Sequence, residues 1–443
     1  KAEPPAGARA GSIGPYLKDE DDPEYSLYFW ANNASKEGIT LNLESEQGQR
    51  IFRQLAKKTD LVLESFDPGY LTSLGLDYAN LSSDNPELIM TSLTGFGQDG
   101  PYRDYKTSDL VALAMGGIMH SCGYDDVPGS PPIRPSGGHG YMIGAHYATM
   151  GTLMALNWRD MTGEGQYVDA SIHEACSCTT EAAMPTYMYT GEVVHRQTGR
   201  HHGTNATPRT LCPTSDGKFV NVFAVFTSLY AWRTLVTWMD SEEMAEDLTD
   251  EKYLDMAAMR TRSGPEVSHA YDVLRRFIAV NTAEYIYRGS QERKFPWGIV
   301  RSPDETLEDP HLWDRGFFEE VEHPELRQSF IYPGRPYVFS KTPWQTRRAP
   351  LLGAGVLGSE LPDGAFVYSV TLLFAIAIYA LTLTQVLALA ERAGGPRTVR
   401  AMPGTKAYCA KMRSNSTYMA ASGLPELITP LISPTSRSIR ARA

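Results

Sequence analysis

Residues 162–171 read TGEGQYVDAS. The segment leaves a long amphipathic stretch through Gly163 and then sets one acid, Asp169, among residues that otherwise have the composition of a buried strand. A helix stop followed at once by a strand start predicts a chain that alternates the two elements, and the upstream sequence does so.

Ser45 is placed to cap a helix with Ile51, Phe52 and Leu55 on its inner face, and the short apolar run DLVLESF follows at 60–66. ELIMTSLTGFGQDGP, 87–101, is strand-like as far as Leu93 and then turns at Gly95, Gly97 and Gly100. Ser108 can cap a helix over DLVALAMGGIMH, 109–120; a Gly/Pro-rich loop fills 123–140, and a long helix is expected from about 144 to Gly163. Strands separated by helical stretches pair in parallel through right-handed crossovers. The expected class is therefore α/β, with a Rossmann-like parallel sheet in a large domain spanning 1–207. The opening KAEPP has the character of a strand exit, so the first strand–helix unit is expected to be missing.

From 208 the texture changes. TSDGKFVNVFAVF, 214–226, puts an Asp-Gly turn before an alternating strand, and Trp/Met-rich helices and an acidic stretch follow. A second, smaller α+β domain is expected over 208–300, and proline-punctuated strands over 301–353 suit a return to the first domain. Residues 354–443 form a divergent tail, in which 366–390 is an uncharged run of 25 residues, long enough for a membrane span. Nine Lys/Arg against two Glu follow it in 391–443. A genuine anchor, a buried helix and an aberrant gene end all remain open, and membrane contact is expected only if 366–390 is a real span.

The net charge of −11 argues against nucleic-acid partners, which need a concentrated basic face. The five cysteines, Cys122, Cys176, Cys178, Cys212 and Cys409, lack metal-ligand spacing and suit a reducing, cytoplasmic compartment.

Alternation in the strand puts Tyr167, Asp169 and Ser171 on one face and Val168 and Ala170 on the other. Asp169 can cap a helix starting near Ile172, or it can serve chemistry at the C-terminal end of a parallel strand. Spacing alone leaves both open.

The ordered segments KAEPP, LYFWANNASKEGITLNL, DLVLESFDPG, LGLDYANLSSDNPELIMTSLTGFGQDGPY, TGEGQYVDAS, DPHLWDRGFF and RRAPLLG resemble the family III CoA-transferases, the formyl-CoA transferase and carnitine CoA-transferase group. The resemblance covers residues 1 to about 353 and implies that family's intertwined homodimer. It implies transfer of CoA from an acyl-CoA donor to a carboxylic acid, through aspartyl anhydride and aspartyl-CoA thioester intermediates, with Asp169 as the matching nucleophile. It implies that CoA lies along Ser65, Phe66, Thr94, Gly95, Phe96 and Gly97, as a substrate, with no tightly bound cofactor and no metal. Phe66 can pack on adenine or belong to the core. The family's flexible glycine loop has no clear match; TGRHHGTNATP, 198–208, marks its neighbourhood, with His201 and His202 as ligand contacts or solvated loop residues. The acid many relatives carry before the long helix is replaced by SGGHGYMIG, where His139 or Tyr141 can stand in. The HHG segment and the aromatic-rich helices are similar to those of transferases acting on succinate-derived and aromatic acids.

Two alternatives remain. An α-methylacyl-CoA racemase-like isomerase would need a histidine acid/base where this chain has Ser108, and a serine does not exchange that proton near neutral pH. A truncated, non-catalytic relative would follow if the missing first unit is truly absent.

Overall fold

The computed structural model describes residues 1–352 except 136, 201, 224 and 261–263. His201 and the apolar run 366–390 therefore lie outside the described residues, with the rest of the tail.

The chain opens with strand β1 (Ala2–Glu3) and helix α1 (Leu27–Asn33), and β1 pairs in parallel with β2 (Ile39–Thr40). Helix α2 (Glu46–Ala56) is capped by Ser45, whose Oγ accepts the Gly48 N–H at 3.0 Å, and it buries Ile51, Phe52 and Leu55 as its spacing predicts. Strand β3 (Leu61–Glu64) leads through short helices α3 (Tyr70–Ser73) and α4 (Tyr78–Asp84) to β4 (Ile89–Thr94). Then come α5 (Asp109–Met115), the 24-residue α6 (His139–Thr162), β5 (Tyr167–Ser171), α7 (Ile172–Cys178) and α8 (Ala183–Thr190).

Strands β3, β4 and β5 form a parallel sheet in that order, as the alternation of elements requires. Central β4 is buried at every position, which is why six consecutive residues there carry no charge. One face of the sheet, through Val62 and Met90, joins one core cluster with Ile51, Phe52 and Leu55 of α2, Leu71 of α3 and Leu81 of α4. Helix α6 meets the other face with Ala145, Ala148, Thr152 and Ala155, small enough for a close approach, and Thr152 shares a 2.8 Å hydrogen bond with Thr91.

Three expectations change. Residues 167–171 are not a buried strand: β5 is the sheet edge, with Tyr167 and Asp169 exposed and Ser171 alone buried. The long helix begins at His139, earlier than 144, because Gly138 takes the left-handed conformation there and the Gly140 N–H is accepted by Asp109 at 2.7 Å. Helix α5 stops at Met115, since Gly117 turns left-handed (φ +89°) before the segment reaches His120.

The second glycine of TGEG has a steric reason. The Gly165 N–H donates to Pro86 O at 2.8 Å, and a Cβ there would lie 1.9 Å from Leu88 O. Only a residue without a side chain lets β5 enter the sheet alongside β4.

A second core gathers residues 212–299. Strands β6 (Leu211–Pro213), β7 (Phe219–Asn221) and β8 (Gly298–Ile299) form an antiparallel sheet beside α9 (Leu229–Ser241), α10 (Met256–Met259), α11 (Pro265–Val280) and α12 (Ala283–Glu292). A third cluster packs Phe29 and Trp30 of α1 against Val321 and Tyr332, which lie beyond α13 (Pro310–Asp314) on the hairpin β9 (Phe318–His323) and β10 (Gln328–Pro333). The Leu352 N–H completes this return by donating to Glu24 Oε1 at 2.7 Å. Among the described residues no helix is long and apolar enough to cross a membrane.

Candidate active site

Strands β3, β4 and β5 carry a row of polar residues across one face of the sheet. Register places Glu64 opposite Ser92, and Ser92 opposite Asp169, so the three form one row across the sheet. Directly paired residues of parallel strands project from the same face, which makes Glu64, Ser92 and Asp169 neighbours.

Asp169 does not cap the following helix. Ser171 does, its Oγ accepting the Glu174 N–H at 3.2 Å. The Asp169 carboxylate instead reaches the turn after β4, where Oδ2 accepts the Gln98 N–H at 2.8 Å. That turn, Thr94 to Gly97, is held at a second point by the His173 N–H, which donates to Gly95 O at 3.0 Å. Gly97 has φ +88°, and a Cβ there would come within 3.5 Å of Asp169 Oδ2. The glycine turn and the acid, 72 residues apart at Gly97 and Asp169, thus form one structure around an exposed carboxylate.

Of the other candidate residues, Thr94 is buried and its Oγ1 makes no hydrogen bond. Phe96 is half-buried with its ring 5.5 Å from His173 and 5.9 Å from Tyr102. Ser65 is exposed just beyond β3, while Phe66 is half-buried, its ring 4.6 Å from Tyr70 and packed on the core below. A cavity of about 780 Å³ opens beside this row and is lined by Glu64, Ser92, Gln98, Arg103, Tyr78 and Tyr167 among others. Its walls run from α3 and α4 over Met90, Ser92 and Tyr167 on the face of the sheet, a concave polar and aromatic site of ligand size.

Several neighbours escaped the sequence. Glu64 is 5% exposed, and burial pushes its carboxyl up, opposed by hydrogen bonds from Ser92 and the Phe66 N–H and reinforced by the charge of Asp169. The signal was an acid closing a strand of four buried residues. Tyr167 donates its hydroxyl to Ser92 Oγ at 2.8 Å, and burial raises its pKa. At the head of α6 the acid is Asp109, buried, accepting from Gly140 N and from Arg134 Nη1 at 3.1 Å; His139 itself is exposed. Ser108 caps α5 by accepting the Val111 N–H at 3.3 Å.

The segment near the expected glycine loop is anchored from the 123–140 loop. Asp125 accepts the Thr198 N–H and Arg200 Nη2, both at 2.7 Å, which pulls its carboxyl down to about 2. Arg209 pairs with Asp126 beside it. His202 Nε2 lies 3.8 Å from Glu181 Oε2. Among the described residues no group of three or more His, Cys, Asp or Glu is arranged to hold a metal.

The parallel β3–β4–β5 sheet between helices is a Rossmann-like α/β fold. Residues 1–355 match the model of CoA-transferase family III, and the chain belongs to that family and is a CoA-transferase. It is 32% identical over 354 residues to the succinyl-CoA:(R)-benzylsuccinate CoA-transferase subunit BbsE of Thauera aromatica, covering 79% of this chain and 84% of the relative. It is 30% identical over 360 residues to the succinyl-CoA:mesaconate CoA-transferase of Haloarcula hispanica, covering 80% and 86%. In fold it resembles a CaiB/BaiF family protein from Brucella suis, with a TM-score of 0.65, 23% identity, and 80% and 88% of the two chains covered.

Proposed function

We propose that the protein transfers CoA from an acyl-CoA donor to a carboxylic acid through Asp169. The observation that carries this is the exposed Asp169 carboxylate on edge strand β5, oriented by the Gln98 N–H and left open on one side by Gly97. Asp169 attacks the thioester carbonyl, the C–S bond breaks, and CoA leaves as the thiolate, giving an aspartyl anhydride. The thiolate then attacks the aspartyl carbonyl to give an aspartyl-CoA thioester and free the first acid. The acceptor acid repeats the steps in reverse. CoA lies along Ser65, Phe66 and the Thr94–Gly97 turn, whose main-chain N–H groups offer donors. Ser108, already used as a helix cap, supports transfer over racemisation.

The names of the two relatives support succinyl-CoA as donor and a dicarboxylic acid, aryl-substituted or not, as acceptor. Homodimer formation is supported by α6, where exposed Tyr147, Met150, Met154, Trp158 and Met161 recur at helical spacing as one apolar stripe. The three cores support the division at 207 and 300. The direct test is turnover by Asp169→Ala with succinyl-CoA and benzylsuccinate or mesaconate; wild-type rates in the variant overturn the assignment. Sedimentation tests the assembly, and a stable monomer at micromolar concentration contradicts the dimer.

A further inference from the structure

We propose that Glu64 is a positioning residue for transfer: its carboxylate, on the same row of the sheet as Asp169, shifts the balance from free Asp169 toward the covalent intermediate. The inference rests on Asp169 being the nucleophile.

Glu64, Ser92 and Asp169 are successive partners across β3, β4 and β5. Two strand spacings separate the acids, on the order of 10 Å between Cα atoms. The Ser92 hydroxyl lies between them, accepting from Tyr167 and donating to Glu64. The Phe66 N–H donates to Glu64 Oε2 at 2.8 Å, so the same carboxylate also fixes the turn proposed to hold CoA. A glutamine would satisfy both hydrogen bonds without the cost of burying a charge. What only glutamate supplies is the charge.

The charge has a use in this reaction. Before attack, two carboxylates share one row of the sheet and repel each other. As the Asp169 oxygen bonds to the thioester carbon, the electron pair of the C–S bond departs with sulfur, and Asp169 becomes an uncharged acyl group. It remains uncharged in the aspartyl-CoA thioester. The repulsion exists in the free enzyme and vanishes in both covalent forms, so ionised Glu64 favours acylation with no proton transferred.

The other titratable groups lining this cavity are Tyr167 from β5, Asp67 and Tyr70 after β3, Asp77 and Tyr78 at α4, and Arg103 in the loop after β4, while Asp169 acts on Glu64 through its charge from along the row. Asp67 is paired with Lys106 at 2.9 Å, and the Tyr70 hydroxyl is pushed up to about 12 by burial and by its bond to Glu44. Glu64 is the buried carboxyl of this cavity, and burial raises its pKa.

The test is intact-protein mass spectrometry of the purified enzyme with succinyl-CoA alone, reading the ratio of CoA-bearing to free chain. Glu64→Gln should lower that ratio about tenfold at pH 8, the size expected for one partly screened charge at this separation. Wild type and variant should converge as pH falls through the raised pKa of Glu64, which a purely structural role would not produce. Equal ratios at every pH, with Asp169→Ala carrying no CoA, overturn the inference and leave the nucleophile standing. CoA adducts persisting in Asp169→Ala overturn both. If Glu64→Gln does not fold, the wild-type profile decides: an adduct ratio that stays constant down to the ordinary carboxylate range overturns the role of Glu64.

Discussion

Replacing Gly97 by alanine separates the two jobs of the turn beside Asp169. Its φ of +88° is costly for a residue with a Cβ, about 1–2 kcal/mol. At about 2–4 °C per kcal/mol for domains of 150–250 residues, the melting temperature should fall by roughly 2–8 °C, leaving the protein folded at 25 °C. The effect on rate should be larger. The new methyl would lie 3.5 Å from Asp169 Oδ2 and 4.0 Å from Oδ1, against both nucleophilic oxygens. A reacting carbonyl carbon must approach to about 3–3.5 Å, so methyl and thioester compete for the same space, and a misplacement of about 1 Å costs on the order of 100-fold. Gly97→Ala should therefore lose about 100-fold in kcat/KM with acyl-CoA while its circular dichroism spectrum is unchanged. A folded variant with wild-type kcat/KM would show that the thioester does not approach Asp169 from the side of this turn.

Three further outcomes follow from contacts away from the reacting atoms. Gly165→Ala places a Cβ 1.9 Å from Leu88 O and should destabilise the fold by about 1–3 kcal/mol in a urea titration; an unchanged midpoint would refute the close approach of β5 to β4. Asp125→Asn removes a carboxylate held at about 2, below its unfolded value of about 3.9, so its contribution is complete above that value and is lost as pH falls toward 2. At pH 7 the variant should exchange amide hydrogens faster over 198–208, with the difference narrowing below pH 4; equal exchange at pH 7 would show that Asp125 does not hold the segment. Glu64 has the opposite sign: its folded pKa is raised, so stability falls as pH climbs from the unfolded value of about 4.3 through the raised one. Glu64→Gln should melt higher than wild type at pH 7 and with it at pH 4, and a lower melting temperature at pH 7 contradicts the desolvation of that charge.

Much of this was legible because the determinants are local. Ser45 and Ser108 cap their helices as their positions predict, and the turn after β4 falls at its glycines. Asp169 was singled out by a charge in an apolar strand and by family resemblance, yet its partner was not: the Gln98 N–H lies 71 residues away, and only the pairing of β4 with β5 brings them together. Glu64 stayed hidden for the same reason. Alternation within a strand says which way a side chain points, but the row Glu64–Ser92–Asp169 depends on register between strands. The exposure of β5 was misread because hydrophobic composition does not distinguish a central strand from an edge. Asp109 is a first-turn acid of α5, and its bond to Gly140 requires α6 to arrive beside it.

The most direct test of the account is hydroxylamine trapping. Enzyme incubated with succinyl-CoA and then with hydroxylamine should carry a hydroxamate on the peptide containing Asp169, located by tandem mass spectrometry, and Asp169→Asn should carry none. A hydroxamate on another carboxylate, or trapping that persists in Asp169→Asn, would contradict Asp169 as the nucleophile.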